Sequence, residues 1–230
     1  MTEISITRTT HPRTPPADDT LSFGNVFSDH MFMLDYEEGK GWHSPRIVPY
    51  QDFSLDPATC VLHYGQAIFD GLKAFRGADG RIRLFRAGDH AKRLNRSGQF
   101  LCMPEIDAAM VEESIRALVE VDQNWVPSKP GTSLYIRPTV IATERFLGVH
   151  PSRKYLYYVI VGPVGAYYKE GMNPVKIMAS EKYVRAVKGG LGAAKTAGNY
   201  AASLYGAEEA KKAGFTQVLW LDGVEHRYLD

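Results

Sequence analysis

Long hydrophobic runs are missing from this sequence. The longest clearly apolar stretches, such as Tyr155 to Val161, fall far short of the roughly twenty residues that a bilayer-spanning helix needs. The segment from Met1 to Thr20 has no apolar core of the kind a secretory signal carries. A soluble, cytoplasmic protein is expected. An excess of one charge is missing too: 27 Lys and Arg face 26 Asp and Glu, a net charge of +1, with no long run of either sign. Bulk charge therefore points to no nucleic acid and no anionic membrane as partner. Cysteine is scarce, with only Cys60 and Cys102 and no CxxC or Cys/His ligand spacing. A metal or redox centre thus has little support, no metal ligand is assigned, and both cysteines are expected to be small buried residues. What the 230 residues do have is 44% hydrophobic content, enough to bury a sizeable core and to divide into two domains.

Proline, threonine and charge mix without period in residues 1–25, TRTTHPRTPPADDT above all, which suits an extended or frayed arm. Runs rich in Ile, Val, Leu, Tyr and Phe follow at His30 to Tyr36, Thr59 to Tyr64, Arg81 to Arg86, Ser133 to Thr143 and Tyr155 to Val161, and read as strands. Asp79-Gly80 reads as a hairpin turn. Two helices interrupt them. Asp89 caps the first, which carries Arg93 and Arg96, while Ile106, Met110, Val111, Ile115, Leu118 and Val119 recur at helical spacing in the second. Strands with the helices in a block predict a small α+β domain over 26–162. Residues 163–174, PVGAYYKEGMNP, are dense in breakers and aromatics and predict an interdomain linker of the kind that lines a cleft.

Over 175–230, Val175 to Ala179 and Gln217 to Asp222 read as strands, the latter buried. Asn199 to Ala213 reads as a helix with Leu204 inward, a Glu208 to Lys212 pair and Gly214 as its stop. One helix and two strands do not close a domain, so a second domain that is incomplete in this chain, or that needs a partner, is expected.

The segment from Lys188 to Tyr200 is the most informative chemically. Gly189, Gly190, Gly192 and Gly198 surround Lys195 and leave the backbone free to turn, so a ligand can approach closely. A lysine amine that adds to an aldehyde must be deprotonated, which requires lowering the ordinary value near ~10.4 by burial or a neighbouring cation. Ala193, Ala194 and Ala197 permit burial without crowding a flat ring. The same composition also fits a glycine-rich surface loop carrying a solvated lysine.

The particular strings narrow the choice. GGLGAAKTAGNYAASL resembles the lysine segment of branched-chain-amino-acid aminotransferases, and LHYGQAIFDGLKAFRGADGRIRLFR, LYIRPTVIATERFLGV, GPVGAYY and QVLWLDG resemble further family segments in the same order. The resemblance runs from about His30 to Asp230. It implies a two-domain fold of pyridoxal-phosphate fold type IV, like that of D-amino-acid aminotransferases, with 175–230 as the N-terminal part of the large cofactor-binding domain.

The resemblance also implies roles. Lys195 would carry pyridoxal 5′-phosphate covalently and move the substrate's proton, Arg93 in DHAKRLNRS would grip the phosphate, and Tyr200 would hydrogen-bond the ring hydroxyl. Tyr64, Phe69, Tyr135 and Arg137 would line the substrate side, joined by Tyr167 of the linker. Aromatic rings would take an aliphatic side chain, and Arg137 with Tyr64 the distal carboxylate of glutamate. The implied reaction moves the amino group of L-leucine, L-isoleucine or L-valine to 2-oxoglutarate, in a homodimer. Related D-amino-acid aminotransferases or aminodeoxychorismate lyase are alternatives, as is a non-catalytic module.

Asp70 stands where the family usually has glutamate, and the CxxC pair of mammalian members is absent. The family glutamate that binds the pyridine nitrogen falls just beyond the position of Asp230, so these 230 residues alone are expected to be severely impaired.

Overall fold

The structure is a computed structural model that describes residues 3–165 and 173–230. Residues 1–167 form one compact unit and residues 168–230 a second.

The first unit is built on one sheet. Its strands are β1 (Ser5–Ile6), β2 (His30–Glu37), β3 (Gly41–Pro49), β4 (Ala67–Phe69), β5 (Leu72–Arg76), β6 (Ile82–Leu84), β7 (Ser133–Ala142) and β8 (Lys154–Val164). They run in the order β1-β3-β2-β8-β7-β5-β6, with β4 also paired to β7. Every pairing is antiparallel except β1 with β3. Among the described residues three α-helices accompany the sheet: α1 (Cys60–Tyr64), α2 (Ala87–Gln99) and α3 (Ala108–Val121).

The periodic apolar positions of α3 explain its place. Val111, Ile115, Leu118 and Val119 form one buried stripe, and the Asp107 carboxylate caps the helix by accepting the Ala109 N–H at 2.9 Å. That stripe packs on β2 and β8, and α2 packs on α3 and β4. Phe32, Leu34, Leu94, Ile115, Leu118, Leu134, Ile136 and Tyr157 meet in the resulting core. Burying each such side chain is worth about 1.5–3 kcal/mol.

The strands β3, β4 and β5 are absent from the sequence reading, and other expectations differ as well. The run from Thr59 to Tyr64 is a short helix, α1, closed by Gly65 at a left-handed φ of 61°. A five-residue apolar run carries no period that separates helix from strand. Asp89 does not cap α2: Arg86, itself left-handed at φ 55°, is the N-cap, and Asp89 lies in the first turn beside it. Cys102 is exposed, in contrast to the buried Cys60. The arm is extended yet not frayed. The Thr9 N–H donates to His30 Nε2 at 2.9 Å, and the Arg13 guanidinium donates to Asp29 at 3.0 Å.

The second unit holds β9 (Ile177–Ala179), α4 (Ala197–Lys212) and β10 (Gln217–Leu219), a parallel β9/β10 pair joined by a helical crossover. Gly214, at φ 81°, follows the helix end as the sequence predicts. Leu204, expected inward, is exposed, because the buried positions of α4 are Gly206 and Ala210. A Cβ at Gly206 would come within 2.8 Å of the Trp220 ring, so the helix approaches through a glycine and shows no apolar period. Glu209, next to the expected Glu208, pairs with Lys182 at 3.9 Å. β10 is partly exposed, unlike the buried strand read from QVLWLD. Pro163 and Val164 of the expected linker end β8, and its residues 166–172, Tyr167 included, lie outside the described residues. Among the described residues, no helix is long and apolar enough to cross a membrane.

Candidate active site

β7 presents Tyr135 and Arg137 two residues apart, hence on one face of the sheet. Arg137 donates through Nε and Nη2 to the Tyr135 hydroxyl at 3.2 and 2.9 Å. Its guanidinium also lies over the Phe69 ring, 4.5 Å from the centroid. Phe69 ends β4, which is paired to β7 through Phe69 and Thr139. The three expected substrate residues of the sheet are thus brought together. Gly71 makes the approach possible, since a Cβ there would sit 2.1 Å from the Tyr135 hydroxyl oxygen.

The N-terminal segment covers this group. Phe23 meets the Tyr135 ring edge-on at 5.0 Å, and Phe23, Val26 and Phe27 help line a cavity of about 260 Å³ with Tyr135, Arg137 and Gly162. Sequence reasoning missed these residues because it took composition as the signal, and the arm's polar start hides the aromatic pair at 23 and 27. Tyr64 ends α1, is 43% exposed, and has His63 as its ring neighbour at 6.1 Å.

Immediately after Phe69 the chain turns Asp70 inward, and there it meets Arg93. Asp70 is fully buried and accepts from Arg93 Nε and Nη2 at 2.6 Å each. His90 Nδ1 lies 2.9 Å from the same carboxylate, and the Gly71 N–H donates to it at 2.6 Å. Burial works against ionisation of Asp70, but the bonds from Arg93, His90 and Gly71 outweigh it and hold the carboxyl below its ordinary value. Arg93 and His90 are three apart on α2, on one helix face. The partnership was invisible in sequence, where Asp70 was a substitution without a known consequence.

In the second unit, Lys195 precedes α4 and Tyr200 sits in its first turn. The Lys195 ammonium or amine donates to the Tyr200 hydroxyl and lies 4.9 Å from that ring's centroid. Asn199 fixes the loop that carries the lysine, its amide donating to the Leu191 and Ala194 carbonyls at 2.8 Å each. That gives the asparagine of KTAGNY a role the sequence did not assign. A Cβ at Gly198 would meet nothing within 4 Å, whereas one at Gly192 would strike the Ala186 Cβ at 2.5 Å.

Comparison with known proteins adds a second line of support. The family described as amino-transferase class IV matches residues 67–226. The chain is 53% identical to branched-chain-amino-acid aminotransferase 2 of Bacillus subtilis (strain 168), over 99% of this chain and 62% of that protein. It therefore spans less than two thirds of the length of that curated relative. Among solved structures, it resembles the T.th. branched-chain amino acid aminotransferase with pyridoxamine 5′-phosphate, at TM-score 0.66 and 28% identity over 83% of this chain and 59% of that one. The T.th. enzyme complexed with N-(5′-phosphopyridoxyl)-L-glutamate matches at TM-score 0.63 and 26% identity, over 83% and 58%.

Proposed function

The chain belongs to the class IV aminotransferase family, and from that premise we propose that the full-length protein transfers the amino group of L-leucine, L-isoleucine or L-valine to 2-oxoglutarate with pyridoxal 5′-phosphate as cofactor. The observation that carries the reading is the Lys195 nitrogen at the Tyr200 hydroxyl, on a glycine-rich segment, in a chain 53% identical to a branched-chain enzyme.

The donor set suits this cofactor. An aldehyde calls for an amine, a ring hydroxyl for a hydrogen-bonding phenol, and a phosphate for a guanidinium; Lys195, Tyr200 and Arg93 supply them. Once bound, the cofactor supplies an electron-withdrawing ring that makes the substrate's Cα–H acidic. Lys195 would hold it covalently, and its amine would carry the proton taken from the substrate's Cα. Tyr200, hydrogen-bonded to the Lys195 nitrogen, orients that nitrogen and would bind the ring hydroxyl. Phe69, with Phe23 and Tyr135, offers apolar ring surface to a branched aliphatic chain, and Arg137 offers a guanidinium to the distal carboxylate of glutamate. One pocket thereby takes both partners of the exchange. The complex of a related enzyme with a phosphopyridoxyl glutamate supports the second partner.

The homodimer and the cytoplasmic location belong to the same reading. Phe146, Leu147 and Val149, between β7 and β8, are 47%, 65% and 89% exposed, an apolar loop that suits a second copy as its cover. A monomer in sedimentation equilibrium of the full-length protein contradicts the dimer. The activity is tested with leucine deuterated at Cα, incubated with the full-length protein, pyridoxal 5′-phosphate and 2-oxoglutarate. Loss of deuterium with formation of glutamate is expected, and full retention contradicts the reading.

A further inference from the structure

Arg93 has an unusual relation to its partner: its side chain is 45% exposed, while the carboxylate it is tied to has no exposure at all. Taking a carboxylate wholly out of water opposes folding unless its lone pairs are filled. Here they are filled by two Arg93 N–H groups, the Gly71 N–H and His90 Nδ1. A bidentate contact fixes the plane of a guanidinium as well as its position, which a single contact or a lysine would not do. His90 lies on the same carboxylate oxygen as Arg93 Nη2, and so braces the acceptor from a second side. The neighbouring residue, Phe69, carries its ring under Arg137. Two consecutive residues thus link the group offered to the substrate with the group offered to the phosphate.

We infer that Asp70 is a positioning residue for cofactor binding: braced by His90, it holds the Arg93 guanidinium in the plane in which its exposed part grips the cofactor's phosphate monoester. The inference rests on the phosphate role of Arg93 given above. It predicts that the carboxylate at 70 matters for the phosphate and not for the ring.

Pyridoxal 5′-phosphate and pyridoxal, which lacks the phosphate, separate the two. Dissociation constants for both are measured by absorbance titration of the full-length protein and its Asp70→Asn, His90→Ala and Arg93→Gln variants, with circular dichroism as a check of folding. Asp70→Asn is expected to weaken pyridoxal 5′-phosphate by roughly tenfold or more, as for loss of a charge-assisted pair, and to leave pyridoxal within about twofold. Equal weakening of both ligands, or of neither, overturns the inference. If Asp70→Asn does not fold, His90→Ala decides: a loss of about threefold confined to pyridoxal 5′-phosphate supports it, and an unchanged ratio of the two constants overturns it. Arg93→Gln reports on the underlying reading separately. A ratio unchanged in Arg93→Gln removes the phosphate role of Arg93, whereas a ratio changed in Arg93→Gln but not in Asp70→Asn removes only the role of Asp70.

Discussion

Arg137 and Tyr135 are coupled through one hydroxyl oxygen, which accepts both described guanidinium bonds. Tyr135→Phe removes that acceptor and leaves the arginine free to swing. The KM for 2-oxoglutarate, whose distal carboxylate needs a fixed guanidinium, should rise about tenfold, as for a lost bond to a charged group, while the KM for leucine changes little. Steady-state kinetics with each substrate varied in turn checks this, and an equal rise for both contradicts it. At Gly71 even a methyl group would strike the same hydroxyl, at 2.1 Å. Gly71→Ala should therefore displace the Tyr135 ring and lower stability by about 1–3 kcal/mol in urea unfolding. At this scale the lysine string, the Tyr135 and Arg137 pair and Arg93 were proposed by likeness to a family, and the structure joins Tyr135 to Arg137 and Lys195 to Tyr200. Asp70, Asn199 and Phe23 act through partners 23, 8 and 112 positions away, and no spacing rule reaches such partners.

Among the elements, α3 was readable because Met110, Val111, Ile115, Leu118 and Val119 repeat at helical spacing, although Ile106 of the same set lies before the helix and the Asp107 cap was not read. Ile115 stands at the centre of that stripe with no exposure. Ile115→Ala should destabilise the protein by about 2–5 kcal/mol, the range for a large-to-small change in a packed core. Chemical unfolding gives the figure, and a loss below about 1 kcal/mol would mean that α3 is not seated on the sheet as described. α4 was harder to read. It turns Gly206 and Ala210 inward and Leu204 outward, so a search for large apolar residues selects the wrong face. α1 was read as a strand for the complementary reason: five residues of CVLHY are too few to show any period, and the decisive feature is the left-handed Gly65 that ends them.

Over the whole molecule, the α+β organisation of the first unit followed from the order of strands and helices, whereas β3, the short β4 and β5 and the docked arm did not. Its buried tyrosines give the protein a base-sensitive core. Burial raises the Tyr155 phenol to about 12, although the Gln66 amide hydrogen-bonded to it pulls the other way. Burial likewise raises Tyr157, which is hydrogen-bonded with Ser114. The folded pKa exceeds the unfolded value near ~10, so the stability these phenols contribute is complete below about pH 10. It is lost as the pH rises through the folded value of about 12. Urea midpoints should be level up to the first of these values and fall between the two, and Tyr155→Phe should reduce the fall. A midpoint that does not move across that interval contradicts the assignment.

Lys195 is the residue proposed to carry the cofactor. Borohydride reduction of the full-length protein incubated with pyridoxal 5′-phosphate, followed by a peptide map, tests it most directly. One phosphopyridoxyl adduct is expected on the peptide containing GGLGAAKTAGNY, at Lys195, and none there in Lys195→Ala. An adduct at a different lysine, or a folded protein that acquires none, would contradict it.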